Sequence, residues 1–236
     1  MRDLVFGICV FMIAAQAGAQ CCGDCNADGR VGISELIVSV NAALSDCAGP
    51  PRFVVNGDGT VSDRQTGLQW ELKRNLDSVA NLADPHDADN RYSWSGNAPD
   101  LVTPKGTAFT MFLAQLNGTD GGPNMCVSSD GTTLSGGFAG YCDWRLPSSV
   151  ELAGIFDPTQ GFCGGASGAC IDPAFGPTPV APPESGAVFT WSATSTSADT
   201  AAAWTLVFDR TAIEPGRPFD LFKPFSGAVR AVRNGS

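Results

Sequence analysis

Apolar positions change period several times along this chain. Phe53-Val54-Val55, the turn residues Asn56-Gly57-Asp58-Gly59, and Thr60-Val61-Ser62-Asp63 alternate at the two-residue period of a β-hairpin, and Gly67-Leu68-Gln69-Trp70-Glu71-Leu72 continues it. Residues 107–117 switch to helical spacing, with Phe109, Phe112, Leu113 and Leu116 on one face. Tyr141-Cys142-Asp143-Trp144-Arg145-Leu146 is extended again until Pro147 stops it; Ser148 then stands three residues before Glu151, the spacing of a capping box, and Leu152, Ile155 and Phe156 face inward on the new helix. A Gly- and Pro-rich excursion over residues 157–185 leads to short strands at 188–192, 202–208 and 228–232. Hairpin, helix, corner, helix, long loops and late strands predict an α+β domain of small antiparallel sheets with two helices. Arg145 carries a fixed charge between Trp144 and Leu146 and is expected to be paired near the core, because an unpaired buried guanidinium is costly.

A separate apolar stripe, Ile33, Leu36, Ile37, Val40 and Leu44, predicts a short amphipathic helix near the N-terminus. The loop before it carries the sharpest chemistry in the chain. With Asp24 as loop position 1, oxygen side chains fall at positions 1, 3 and 5 (Asp24, Asn26, Asp28), Gly29 supplies the sharp turn at 6, Arg30 offers its carbonyl at 7, and Glu35 closes the loop at 12. A hard cation needs six to eight oxygens, so the cofactor this spacing predicts is calcium; a plain surface turn would not require the twelfth-position carboxylate. Loop plus following helix resembles half of a dockerin, or one hand of the EF-hand superfamily. A full dockerin has two such repeats, and the single one here argues against cohesin binding. Asn56, Asp58 and Asp63 do not repeat the pattern, since Gly67 stands where the closing carboxylate would be.

Composition adds an address. Arg2, the apolar run over residues 4–15 and Ala17-Gly18-Ala19 fit a secretory signal peptide spanning residues 1–19, and no later run is long enough to cross a membrane. The organisation expected is therefore a signal peptide, a calcium module over residues 20–48, a linker at 49–52 built on Gly49-Pro50-Pro51, and a large domain over 53–236. Of nine cysteines, Cys9 leaves with the signal; the other eight are an even set that fits disulfides in an exported protein. The economical scheme joins Cys21 and Cys22 to Cys25 and Cys47 in either order, Cys163 to Cys170, and Cys126 to Cys142. A net charge of -10, with no basic patch to override it, excludes nucleic acid and disfavours polyanionic glycans.

The run Gly140-Tyr141-Cys142-Asp143-Trp144-Arg145-Leu146-Pro147-Ser148-Ser149-Val150-Glu151-Leu152 resembles the signature of the Lcl C-terminal domain-like family, whose named member is a glycan-binding bacterial adhesin. Asp58-Gly59-Thr60-Val61, Thr66-Gly67-Leu68-Gln69-Trp70, Phe189-Thr190-Trp191-Ser192-Ala193-Thr194 and Val229-Arg230-Ala231-Val232-Arg233 agree with it in order, over residues 53–234. Relatives carry a cysteine on the first helix and another in the terminal strand; here Ala231 holds the second place. The corner is also similar to one in the formylglycine-generating and C-type-lectin-like superfamily.

The resemblance implies an extracellular glycan or cell-surface ligand. Candidate ligand-binding residues are Trp94, expected to be exposed because it ends a polar loop, and a cationic cluster of Lys223, Arg230 and Arg233. Asp87, Asp89 and Asn90 crowd oxygens into four residues and form a second candidate metal site, against the alternative of a loop held by side-chain to backbone bonds. His86 is the sole histidine, and no H-E-x-x-H, G-x-S-x-G or P-loop pattern is present. The function expected is thus a secreted, non-catalytic, adhesin-like carbohydrate-binding protein. The alternatives are a cell-surface assembly protein acting as an oligomer and, behind both, a formylglycine-generating-like enzyme.

Overall fold

The computed structural model describes residues 32–33, 51–97, 99–121, 125–128, 134–159, 168–179, 187–208 and 216–235. The chain divides into two units, Met1–Pro51 and Arg52–Ser236. The expected calcium ligands Asp24, Asn26, Asp28, Arg30 and Glu35 lie outside the described residues, so the account below concerns the second unit.

The expected hairpin forms β1 (Phe53–Val55) and β2 (Thr60–Asp63), with Phe53 opposite Asp63. Its turn requires left-handed backbone at Gly57 and Gly59, φ 83° and 89°, which glycine adopts without a Cβ clash. Asp58 holds the turn shut by accepting from the Thr60 N–H at 3.0 Å and the Thr60 hydroxyl at 2.6 Å. β3 (Leu68–Glu71) pairs with β2, and the far end of the chain returns to cover its other edge, giving an antiparallel sheet in the order β1-β2-β3-terminal strand. Val61 and Trp70, opposite one another on β2 and β3, are fully buried.

A short β4 (Tyr92–Ser93) precedes the first helix, α1, whose opening segment Ala108–Leu113 is π-wound and whose close Ala114–Leu116 is α-helical. Phe112, Leu113 and Leu116 are buried as their spacing predicts, and Phe109 packs half-buried against the same cluster. β5 (Val127–Ser128) and β6 (Leu134–Ser135) form a small ribbon. Cys126 and Cys142 are joined in the expected disulfide, Cα atoms 6.0 Å apart, and Cys170 is disulfide-bonded as well.

The corner after Cys142 joins the chain's middle to its end. Arg145 forms a two-way backbone bridge with Val232 (3.0 and 2.9 Å), and Asn117 clamps the Trp144 backbone by donating to its carbonyl and accepting from its N–H, both at 2.8 Å. α2 (Ser149–Gly154) starts with the expected capping box: Ser148 Oγ accepts from the Glu151 N–H, and the Glu151 carboxylate accepts from the Ser148 N–H at 2.7 Å. Glu151 also receives both guanidinium nitrogens of Arg145, at 2.7 and 2.8 Å. Arg145 is therefore paired, but its side chain is 43 % exposed, so the pair is a surface one and weaker than burial would make it.

The hydrogen bonds from Arg145, opposed by partial burial and helped by the Ser148 N–H, pull the Glu151 carboxyl down to about 2. A lowered folded-state pKa stabilises above the unfolded value of ~4.3 and loses that contribution as pH falls towards the folded one. Glu151→Gln is expected to cost ~1 kcal/mol at pH 7, and the gap should close between pH ~4.3 and ~2. Urea midpoints for wild type and variant at both ends of that window test it, and an equal gap at pH 7 and 2 would remove the ion pair from the account.

Late strands β7 (Phe189–Ser195) and β8 (Ala202–Val207) form where expected. A third strand, β9 (Phe219–Phe222), was not anticipated; it completes the order β7-β8-β9 because Phe219 and Leu221 alternate with exposed Asp220. β10 (Ser226–Gly227) pairs with β4, and the expected strand at 228–232 is displaced to β11 (Val232–Asn234) on β3. Two cores result. One gathers Tyr92, Trp94, Phe112, Leu116, Trp144, Leu146 and Trp191; the other gathers Val61, Trp70, Leu152, Ile155, Phe175, Leu206 and Phe208.

Candidate functional site

The first step towards the site is a buried charge cluster behind the first sheet. Glu71 ends β3 fully buried; its Oε1 takes Lys73 Nζ at 2.9 Å and His86 Nδ1 at 3.0 Å, and its Oε2 accepts from the Ala231 N–H at 3.3 Å. Burial pushes the Glu71 carboxyl up, but Lys73 and His86 outweigh it and hold the group below the ordinary carboxylate value, so Glu71 is ionised. Lys73 also donates to the Pro85 carbonyl at 2.8 Å and lies over the Phe112 ring at 4.5 Å. Arg230 donates to the Phe175 carbonyl at 3.1 Å and to Thr178 Oγ1; burial lowers its pKa to about 10, which leaves it charged at neutral pH.

In front of this cluster is an open cleft of ≈ 510 Å³, lined by Gly57, Asp58, Gly59, Leu72, Arg74, His86 and Phe138. Backbone bonds hold its walls in register: Leu72 N–H donates to Gly59 O and Arg74 N–H to His86 O, each at 2.9 Å, and Ala88 N–H returns to Arg74 O at 3.0 Å. Arg74 makes a two-pronged pair with Asp84, both arms 3.0 Å. Phe138 packs on His86 with ring centroids 4.2 Å apart and on Trp144 at 5.2 Å, while its carbonyl accepts from the Trp144 indole at 3.0 Å. An aromatic ring, a carboxylate, a guanidinium and an imidazole therefore meet around one concave surface. A second, smaller cleft of ≈ 340 Å³ lies between Leu82, Arg91, Asn97, Thr107 and Met111.

The ligand-binding residues expected from sequence are placed elsewhere. Trp94 is buried: its indole donates to Ser192 O at 2.9 Å, meets Phe109 edge-on at 5.1 Å, and carries Lys223 Nζ 4.0 Å above its ring. Lys223 is fully buried with its ammonium on the Thr200 carbonyl at 2.6 Å. Arg230 is in the interior cluster, and Arg233, 7 % exposed, pairs with Asp143 at 2.7 Å and Gln69 at 2.8 Å beneath the Tyr141 ring. The exposed cationic cluster is corrected accordingly: these cations are spent on internal carbonyls, carboxylates and ring faces, the partners that make burial of a charge tolerable.

The second candidate metal site is corrected in the same way. Asp87 Oδ1 accepts from the Asp89 N–H, Asp89 Oδ2 accepts from the N–H groups of Asp77 and Ser78, all at 2.8 Å, and Asn90 donates to the carbonyls of Asn81 and Asp84 at 3.0 and 2.8 Å. These side chains shape the loop, and among the described residues no group of three or more His, Cys, Asp or Glu is arranged to hold a metal. Their product is the position of His86. Its pairing with Glu71 was missed because fifteen residues separate the two; the available signals were a lone histidine and a carboxylate on a strand between Trp70 and Leu72.

Small antiparallel sheets with few helices, packed around two aromatic cores and carrying a cleft at the first turn, define an α+β domain. The profile of the Lcl C-terminal domain matches residues 59–233, and the chain belongs to that family. The family points to a cell-surface or extracellular protein. No curated protein matches the chain. Among the described residues no helix is long and apolar enough to cross a membrane.

Proposed function

We propose that this is a secreted, non-catalytic ligand-binding protein whose Arg52–Ser236 unit takes a neutral carbohydrate, with a calcium-binding loop at Asp24, Asn26, Asp28, Arg30 and Glu35 that tethers or stabilises it. The observation that carries the reading is the cleft at Gly57–Gly59, Leu72, Arg74, His86 and Phe138. Sugars present apolar C–H faces and hydroxyls that both donate and accept, and a shallow cleft with one aromatic ring and polar groups of both kinds complements them. The net charge of -10, together with the burial of Lys223, Arg230 and Arg233, supports neutral over sulfated chains. The calcium part rests on the oxygen spacing of the N-terminal loop.

A glycan array probed with the full chain, with and without calcium, tests both parts. Wild type should bind neutral glycans with little dependence on salt, and Glu35→Ala should lose the calorimetric calcium response of wild type. Binding confined to highly sulfated glycans and collapsing in salt would overturn the neutral-sugar reading. Assembly into oligomers with no glycan bound would put the scaffold role in its place.

A further inference from the structure

The geometry points to His86 as the recognition residue of the cleft: its Nε2, bare of hydrogen, accepts a hydrogen bond from a hydroxyl of the neutral sugar, in a tautomer that Glu71 dictates from behind. This rests on the carbohydrate reading above and gives it a single atom.

Glu71 has only acceptors to offer as a carboxylate, and its Oε1 already takes a proton of Lys73 at 2.9 Å. The second contact to the same oxygen, His86 Nδ1 at 3.0 Å, must then be an N–H donor. In the neutral form of the ring, hydrogen on Nδ1 leaves the lone pair on Nε2. Nε2 has no hydrogen-bond partner among the described residues, is not one of the nitrogens sealed from solvent, and belongs to a ring that lines the cleft. A buried carboxylate behind a histidine that lines an open cleft is a built arrangement.

The ring is also fixed in place before any ligand arrives. The His86 backbone N–H donates to Asp84 Oδ1 at 3.0 Å, the His86 backbone carbonyl accepts from the Arg74 N–H at 2.9 Å, and Phe138 covers one side of the ring with centroids 4.2 Å apart. An acceptor that needs no reorganisation on binding loses little entropy to the encounter. Arg74, a donor, and Asp58, an acceptor, line the same cleft, so neighbouring hydroxyls of one sugar ring can be read with opposite polarity.

Because His86 is the sole histidine, its ring signals are unambiguous. Long-range proton–nitrogen correlation spectra of the full-length protein, recorded with the ring in its neutral form at pH ~8 or above, should show hydrogen on Nδ1 and a bare Nε2. Saturation with a neutral oligosaccharide, drawn from gluco-, manno- and chito-oligomers, should move the Nε2 resonance towards its hydrogen-bonded position. His86→Phe, which keeps a ring against Phe138, should weaken binding of that oligosaccharide at least about tenfold. Hydrogen found on Nε2 in the free protein would overturn the assignment, and this reading of wild type does not depend on how the variant folds. Oligosaccharide binding that leaves the ring signals unmoved, with His86→Phe within about twofold of wild type, would remove His86 while leaving the carbohydrate reading intact. Failure of every neutral oligosaccharide to bind would remove both.

Discussion

Glu71→Ala is expected to destabilise the Arg52–Ser236 unit by ~3–5 kcal/mol, the cost of leaving a buried cation without its partner. Lys73 is 4 % exposed, and among the described residues Glu71 is its only carboxylate within ion-pair distance. The same substitution frees His86 Nδ1 and the Ala231 N–H, so it loosens the last residues of the chain as well as the cleft. Urea unfolding at pH 7 measures it. The companion Glu71→Leu with Lys73→Met removes both charges and should recover most of the loss, as replacement of a buried pair by apolar groups does in other proteins. The lowered Glu71 pKa gives the sign with pH: its stabilisation is complete above the unfolded value of ~4.3 and fades as pH falls through the folded one, so the Ala penalty should shrink in acid. A loss below ~1 kcal/mol at pH 7, the scale of a surface pair, would mean that solvent reaches Lys73.

Loss of the Cys126–Cys142 bridge should cost nearly as much. The two cysteines are 16 residues apart, for which loop-closure entropy is ~3 kcal/mol. The bridged segment contains Phe138, and it reaches Phe138 through Gly137, where an added Cβ would lie 2.1 Å from the Tyr141 carbonyl oxygen. Tethering this segment holds one wall of the cleft. Cys126→Ser with Cys142→Ser should therefore lower the urea midpoint by the equivalent of ~3 kcal/mol and weaken oligosaccharide binding together. Unchanged binding despite lower stability would show that Phe138 is held well enough by Trp144 and His86.

What could be read from residues alone was whatever neighbours in sequence decide. The hairpin turn needs Gly57 and Gly59, Ser148 and Glu151 cap α2 across three residues, Phe112 and Leu116 fall on one face of α1, and Cys126 finds Cys142 nearby. Each is a local steric or hydrogen-bonding preference, and each survived folding. The side chains read as functional behaved otherwise. Trp94 ends a polar loop yet meets Ser192, 98 residues away; Arg233 meets Gln69 across 164 residues; Glu71 reaches the Ala231 N–H across 160. Burial of Lys223, Arg230 and Arg233 depends on carbonyls, carboxylates and rings supplied by distant segments, and no local pattern records which cation will find them. The same long-range closure turned His86 towards the cleft and set Glu71 behind it. Local spacing determined the elements and the family corner of this protein, whereas the choice between solvent and interior for its charged and aromatic side chains was made by tertiary packing, because desolvating a charge is affordable only where distant chain brings the compensating partner.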